Sequence, residues 1–431
     1  MIPRPGTRLA RIALVAVPLL ASCSLDNQVL GVRGEPSGST STTSFRTYAA
    51  IGTSLAAGIQ SGGINDSTQR ETYTYQLAKA MGLTPGVDWF YPSFASWGCP
   101  PPYTDILANR RVGGQSGTFC GTRNPATAAP YMSNTGIPGL RAAQALDLTV
   151  TTFSSDTLKL AQFITGSVSP VNMVLRQRPT FVTIEVGAND VLAAATRGDT
   201  TFLTTVASFT ASIGAIRDSL KTLGSVPNVA IANVPNVTVI PHFTKASTLF
   251  CLKTGACGIP ATLPYSSPLF TVDASCAPNA GGGVGDNYLL AFPATGAITS
   301  VLAASRAAKI DCARDSALVA VAAAPAPATA PAGATINTAE YPVITARVTA
   351  FNSAVQALAT AEGWAYVDLN AALQAQLANI PALPGFTTPT TLFGTLFSLD
   401  GIHPTKAGYK ILAQTFATAI NAKYGSALAI P

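Results

Sequence analysis

Residues 47–55 read Thr-Tyr-Ala-Ala-Ile-Gly-Thr-Ser-Leu, an apolar run that ends in a short polar turn. Mostly continuous apolar runs of this length are typical of strands that are buried on both faces of a sheet. Counting this one, the runs that predict strands are Thr47–Ile51, Trp89–Phe94, Thr180–Val186, Asn228–Ala232 and Trp364–Leu369.

Helical patterns lie between these predicted strands. One of them repeats its apolar residues at helical spacing, at Ile344, Val348, Phe351, Val355 and Leu358. Residues 407–424 predict a further helix near the C-terminus. Alternation of strands and helices indicates an α/β fold with a mainly parallel sheet covered by helices. Right-handed crossovers then bring the carboxyl ends of the strands to one edge, where ligands usually bind.

The composition excludes two classes of protein. The chain has 431 residues, of which 48% are hydrophobic and 11% are charged, so it can bury a large core and is not disordered. Residues 1–22 contain three arginines and no acidic residue, so their removal lowers the formal net charge from +6 to +3. A protein with so small a charge has no basic field for phosphates, and we expect no nucleic-acid partner.

The N-terminus resembles an export signal. Residues 1–22 place arginines before the apolar run 12–20, which is too short to span a bilayer comfortably. The following Leu20-Ala-Ser-Cys23 resembles a bacterial lipobox, which implies cleavage before Cys23, a diacylglycerol on its thiol and a membrane anchor. Ser24, rather than Asp, after the cysteine resembles the sorting pattern for the outer membrane if the source is Gram-negative. The alternative is an ordinary cleaved signal with an incidental cysteine.

The chain after the predicted signal divides into two regions, with the boundary between residues 44 and 45. Residues 23–44 are the predicted lipidated cysteine and a flexible tether rich in Ser, Thr and Gly, and residues 45–431 are one predicted domain. Within it, residues 240–337 interrupt the strand–helix rhythm with little regular pattern. We interpret this stretch as an insertion pinned by disulfides, which ends in a semi-rigid Ala/Pro linker and covers part of the cleft expected at the strand ends.

Six cysteines remain besides Cys23, and an even number in an exported chain indicates disulfides. Six cysteines allow 15 pairings. Loop closure favours neighbours in sequence, which gives Cys99–Cys120, Cys251–Cys257 and Cys276–Cys312. A metal site is the competing interpretation, but the chain has no C-x-x-C pair and only two histidines, so we expect no metal.

Several common catalytic motifs do not occur, namely G-x-G-x-x-G after a strand, the phosphate-binding P-loop, H-E-x-x-H and G-x-S-x-G. Four short motifs remain. They are Gly52-Thr-Ser54-Leu, Asn134-Thr-Gly-Ile-Pro-Gly139, Glu185-Val-Gly-Ala-Asn189-Asp190 and Ser398-Leu-Asp400-Gly-Ile-His403-Pro404. Taken singly, the first three also fit a plain polar turn, a Pro-Gly turn and a helix cap.

The last motif is the most specific. An acid three residues before a histidine, with Gly401 between them, can orient the imidazole through one local hydrogen bond. That bond sets the tautomer and leaves the other ring nitrogen free to accept a serine proton. His242 has no such neighbour, and we interpret it as a structural or surface residue.

In their order along the chain, these motifs resemble the four blocks of the SGNH hydrolases, also called GDSL esterases/lipases. The resemblance implies a three-layer α/β/α sandwich with a flavodoxin-like sheet. It also implies Ser54 as nucleophile, His403 as general base and acid, and Asp400 as the residue that orients it. The oxyanion hole would consist of the Ser54 and Gly139 N–H groups and the Asn189 side chain. Thr53 stands where the family has Asp, so the hydrogen bonding at this turn is an open question.

The implied function is a serine esterase/lipase that needs no cofactor and hydrolyses a carboxylic ester through an acyl-enzyme. The low charge and the apolar insertion favour an acyl lipid as substrate, and an acylated carbohydrate is the other candidate. Two other functions stay open. The same triad serves acyl transfer to a hydroxyl acceptor, and the same fold serves a non-catalytic surface-binding lipoprotein.

Overall fold

The computed structural model describes residues 43–115, 120–124, 131–148, 155–166, 168–225, 227–258, 260–261, 263–313 and 335–431. The helices in these residues are α1 (Ser54–Ala57), α2 (Asp66–Gln69), α3 (Tyr73–Ala80), α4 (Ser155–Thr165), α5 (Pro170–Gln177), α6 (Ala188–Ala195), α7 (Val206–Lys221), α8 (Ala246–Thr254), α9 (Phe292–Ala303), α10 (Glu340–Glu362), α11 (Leu369–Gln374) and α12 (Lys406–Tyr424). The strands are β1 (Tyr48–Ile51), β2 (Tyr103–Asp105), β3 (Arg110–Arg111), β4 (Phe181–Ile184), β5 (Asn228–Ala232), β6 (Phe243–Lys245), β7 (Phe270–Val272), β8 (Leu289–Ala291), β9 (Ala308–Ile310), β10 (Thr335–Ile336) and β11 (Ala365–Val367).

The central sheet has the order β1-β4-β5-β11, and every pairing in it is parallel. All residues of β1 and β4 are buried, as expected for strands with helices on both faces. The structure therefore confirms the predicted α/β class with a mainly parallel sheet.

A short segment extends this sheet beyond β1. The Ala50 N–H donates to the Ser133 carbonyl at 2.7 Å, and the Thr135 N–H donates to the Ala50 carbonyl at 3.0 Å. With this segment as a reduced second strand, the order becomes the flavodoxin-like 2-1-3-4-5. In that order the connections leave β1 in opposite directions, so the crevice between the ends of β1 and β4 is the expected ligand site.

The prediction of a strand at residues 89–94 is wrong. This segment makes only isolated bridges, because Pro92 has no N–H to donate and the apolar side chains serve packing. The Trp89 ring lies 6.1 Å from the ring of Tyr48 and 5.9 Å from that of Tyr91.

Helices cover both faces of the central sheet, which gives three layers. On one face, α7 and α10 pack together through Phe209 and Phe351, whose rings stack at 4.0 Å. On the other face, α3 and α12 meet through Tyr73 and Phe416, whose rings stack at 4.5 Å. Stacked aromatic pairs of this kind add to the stabilisation from apolar burial alone.

The stretch 240–337 has more regular structure than the sequence indicates. Its strands form an antiparallel sheet of order β10-β8-β6 and a parallel pair β7-β9, and α8 and α9 pack with them around an apolar cluster of their own. Strands of two or three residues are too short to produce a readable pattern, which explains the difference. Residues 314–334, which hold the predicted Ala/Pro linker, lie outside the described residues.

The structure joins the six cysteines as Cys99–Cys120, Cys251–Cys257 and Cys276–Cys312, the pairs that loop closure favours. Disulfides are typical of proteins in oxidising compartments such as the periplasm or the extracellular space.

The predicted signal and Cys23 lie outside the described residues. In the part of the chain that is described, no helix combines the length and apolar character that a membrane span requires.

Candidate active site

Ser54 lies at the carboxyl end of β1. The strand ends at Ile51, Gly52 and Thr53 form the turn, and Ser54 is the first residue of α1. A side chain at position 52 would collide with the Cβ of Ala56, so the turn needs glycine there. The sheet edge thus presents a serine that is 8% exposed.

A continuous chain of hydrogen bonds joins Ser54 to His403 and Asp400. The Ser54 Oγ lies 2.9 Å from the His403 Nε2, and the His403 Nδ1 lies 2.9 Å from the Asp400 Oδ2. A carboxylate only accepts hydrogen bonds, so the Nδ1 carries the proton and the Nε2 accepts from the serine hydroxyl.

The turn that holds Asp400 and His403 is fixed by the backbone. The Asp400 Oδ1 accepts from the Ile402 N–H at 2.9 Å and from the His403 N–H at 2.8 Å. Gly401 has a φ of +69°, and a Cβ there would come within 2.9 Å of the His242 nitrogen. The turn therefore requires glycine both for its conformation and for the close approach of a neighbouring segment.

Asp400 stays ionised although it is buried. Burial alone would raise the pKa of its carboxyl, but the electrostatic interaction with His403 and the hydrogen bonds outweigh it and hold that pKa well below the ordinary value. The backbone N–H of Gly62 adds a hydrogen bond to the Oδ2 at 2.7 Å. A permanently negative carboxylate at this position stabilises an imidazolium when His403 takes up a proton.

Asn189 and Gly139 belong to adjoining segments. Asn189 lies in the first turn of α6, after β4, and its Nδ2 donates to the Leu140 carbonyl at 3.0 Å. Gly139, next to Leu140, is exposed and has a φ of +78°. The same loop contacts the Ser54 turn, because the Ile137 N–H donates to the Gly52 carbonyl at 3.1 Å.

Thr53 has a buried partner that sequence reasoning missed. The Glu185 carboxyl accepts from the Thr53 N–H at 3.0 Å and from the Thr53 hydroxyl at 2.8 Å. Burial raises the pKa of Glu185 to about 7, although its bonds with the Thr53 hydroxyl and with the Thr53 and Ala56 backbone act in the opposite direction. The sequence feature that could have indicated this contact is a glutamate at the end of an apolar strand, because an unpaired buried charge is costly. Glu185 is therefore the hydrogen-bond partner of Thr53 at this turn, which the sequence left open.

His242 also contacts the turn that holds Asp400. Its backbone N–H donates to the Gly401 carbonyl at 2.9 Å, and its Nδ1 donates to the Asp400 carbonyl at 3.0 Å. Burial lowers the pKa of His242 and so favours the neutral ring. The interpretation as a structural residue agrees with this position, but nothing near His242 in sequence indicated the contact.

In the described part of the chain, no group of three or more His, Cys, Asp or Glu side chains is arranged to hold a metal ion.

No family model and no curated protein matches the chain. Among solved structures, two variants of the acetyl-xylooligosaccharide or acetylxylan esterase Axe2 from Geobacillus stearothermophilus are remotely similar. One is 12% identical with a TM-score of 0.36, and the other is 13% identical with a TM-score of 0.35. Each alignment covers 87% of this chain and 94% of the other chain.

Proposed function

We propose that the protein is a serine hydrolase of carboxylic esters, with Ser54 as nucleophile, His403 as general base and acid, and Asp400 as the orienting carboxylate. The observation that carries this proposal is the unbroken hydrogen-bond chain from the Ser54 Oγ to the Asp400 Oδ2, with 2.9 Å at both steps. An unassisted serine hydroxyl is a weak nucleophile, and an adjacent oriented base is what activates it.

The first half-reaction forms the acyl-enzyme. The Ser54 Oγ attacks the ester carbonyl carbon while its proton moves to the His403 Nε2. The tetrahedral intermediate collapses when the bond to the alcohol oxygen breaks, and the imidazolium gives its proton to that oxygen. Asp400 keeps its negative charge throughout and stabilises the imidazolium.

The second half-reaction releases the acid. A water molecule gives a proton to the His403 Nε2 and attacks the acyl carbon. The bond from the acyl carbon to the Ser54 Oγ then breaks, and the Oγ recovers a proton from His403. Each cycle consumes one ester and one water and returns the enzyme to its starting state.

The oxyanion of both intermediates would bind three donors, the Ser54 and Gly139 N–H groups and the Asn189 side chain. The Asn189 amide has two N–H groups, and the bond to Leu140 uses one of them. Removal of one preorganised donor typically costs about 2.7–4 kcal/mol of barrier. The order of the four motifs supports membership of the SGNH hydrolases. A flavodoxin-like strand order is expected for that family.

The test uses Ser54→Ala with an activated short ester such as 4-nitrophenyl acetate. We expect kcat to fall by about 10⁴-fold or more, with an unchanged circular dichroism spectrum. The matched control is Ser353→Ala, at an exposed serine on α10, which should keep wild-type kcat. Wild-type turnover by Ser54→Ala would overturn the proposal.

A further inference from the structure

An apolar cavity lies beside the candidate active site. Its walls include Leu55, Leu373, Leu396, Phe397, Ile402 and Leu412, and its volume is about 90 Å³. Several of these side chains, among them Leu55, Ile402 and Leu412, are only partly buried. Unlike the core, this surface is therefore left partly uncovered by the folded chain.

The cavity is lined by the chain neighbours of both reacting residues of the proposed mechanism. Leu55 directly follows the nucleophile Ser54, and Ile402 and Pro404 stand on either side of His403. A group bound in this cavity therefore lies against the same short segments that hold the serine and the imidazole. An acyl group attached to the Ser54 Oγ is the part of an ester that remains at this position after the alcohol has left.

The lining of this cavity disfavours a sugar. Gln376 is the one lining residue with a polar side chain, and none of the lining residues is charged. Sugar hydroxyls that enter an apolar cavity lose their hydrogen bonds to water without replacement, which disfavours them strongly. A hydrocarbon chain gains from the same burial, by about fourfold in binding for each CH₂ group.

The volume bears on the length of the chain. One water-sized group needs about 10–15 Å³ of cavity volume, so a cavity of about 90 Å³ has room for more than a single methyl group. A methylene group is of comparable size. The cavity therefore has room for an acyl chain that is longer than acetyl.

We infer that this cavity binds the acyl chain of the substrate, so that the protein prefers esters of fatty acids to esters of acetic acid. This inference rests on the proposed esterase function and concerns the acyl part of the ester alone. In 4-nitrophenyl esters of increasing acyl length, kcat/KM should rise from acetate to octanoate.

The test variant is Ala372→Phe, which adds an aromatic ring at a half-buried residue of α11 that lines the cavity. We expect the ratio of kcat/KM for octanoate to that for acetate to fall by about tenfold or more. The matched control is Ala371→Phe, at the neighbouring exposed residue of the same helix, which should keep the wild-type ratio. Leu412→Ala, which enlarges the cavity, should move the preferred chain length upward and serves if Ala372→Phe does not fold.

A second pair of substrates identifies which part of the ester enters the cavity. Ethyl octanoate should lose activity in Ala372→Phe relative to ethyl acetate, whereas octyl acetate should not. Loss on octyl acetate alone would place the alcohol in the cavity and overturn the acyl assignment. A wild-type ratio in both cavity variants would overturn the inference while leaving the esterase proposal intact. Absence of hydrolysis of every ester by the wild type would overturn the esterase proposal itself.

Discussion

Replacement of Glu185 by Gln tests the electrostatics beneath the Ser54 turn. Burial raises the pKa of this carboxyl from the ordinary 4.5 to about 7. The folded protein thus keeps a proton on Glu185 up to about pH 7, whereas the unfolded chain loses it near pH 4.5. Between these values the folded state binds more protons, so the free energy of unfolding must fall as the pH rises.

The magnitude follows from the two pKa values. Each pKa unit corresponds to about 1.4 kcal/mol, so the contribution of Glu185 to the free energy of unfolding falls by about 3 kcal/mol between pH 4 and pH 8. The Glu185→Gln protein has no proton to lose at this position. Gln also keeps a carbonyl oxygen that accepts from the Thr53 hydroxyl.

The assay is urea unfolding of the wild type and of Glu185→Gln at both pH values, with the disulfides kept oxidised. Other groups titrate in the same range. His242, whose pKa is lowered by burial, acts in the opposite direction, because the unfolded chain binds its proton first as the pH falls. Only the difference in the free energy of unfolding between the wild type and Glu185→Gln is therefore informative. We expect the wild type to lose about 3 kcal/mol relative to the variant from pH 4 to pH 8, and a constant difference would refute the reasoning.

Three further predictions concern the oxyanion hole, the disulfides and the N-terminus. Asn189→Ala should lower kcat by about 10²–10³-fold with a smaller change in KM, and a pure KM effect would mean that the amide binds only the ground state. Reduction of the disulfides should lower the free energy of unfolding by about 2–4 kcal/mol per bond in urea titrations. It should also reduce activity on long acyl esters more than on acetate, since Ile240 at the start of the insertion lines the apolar cavity, and equal loss on both would refute that link. Metabolic labelling with a fatty-acid analogue should mark the wild type and not Cys23→Ser, and a label that survives the substitution would refute acylation at Cys23.

The parts of the fold that the sequence predicts are those in which one segment carries its own signal. Residues 181–184 and 228–232 are mostly apolar, and the structure places both as neighbours in the central sheet. Residues 89–94 are also mostly apolar, but their rings pack against other aromatic side chains, as Trp89 does against Tyr48. Apolar character alone therefore does not distinguish a strand from an aromatic cluster. The reduced second strand at Ser133–Thr135 is short and polar, and only its pairing with Ala50 identifies it.

The candidate site divides in the same way. Asp400 and His403 are three residues apart, so their hydrogen bond is local and a sequence motif can encode it. Thr53 and Glu185 are 132 residues apart, and His242 meets the Asp400 carbonyl across 158 residues. Such contacts arise from the packing of the whole sheet, and no spacing along the chain indicates them.

The identity of the nucleophile is the central claim, and covalent labelling tests it most directly. A fluorophosphonate reacts with a serine that an adjacent base activates, and peptide mass spectrometry then locates the adduct. We predict one adduct, on the proteolytic peptide that contains Ser54, and its loss in His403→Ala because the base is then missing. An adduct on another residue, or ester hydrolysis by a protein that gives no adduct at Ser54, would contradict the account.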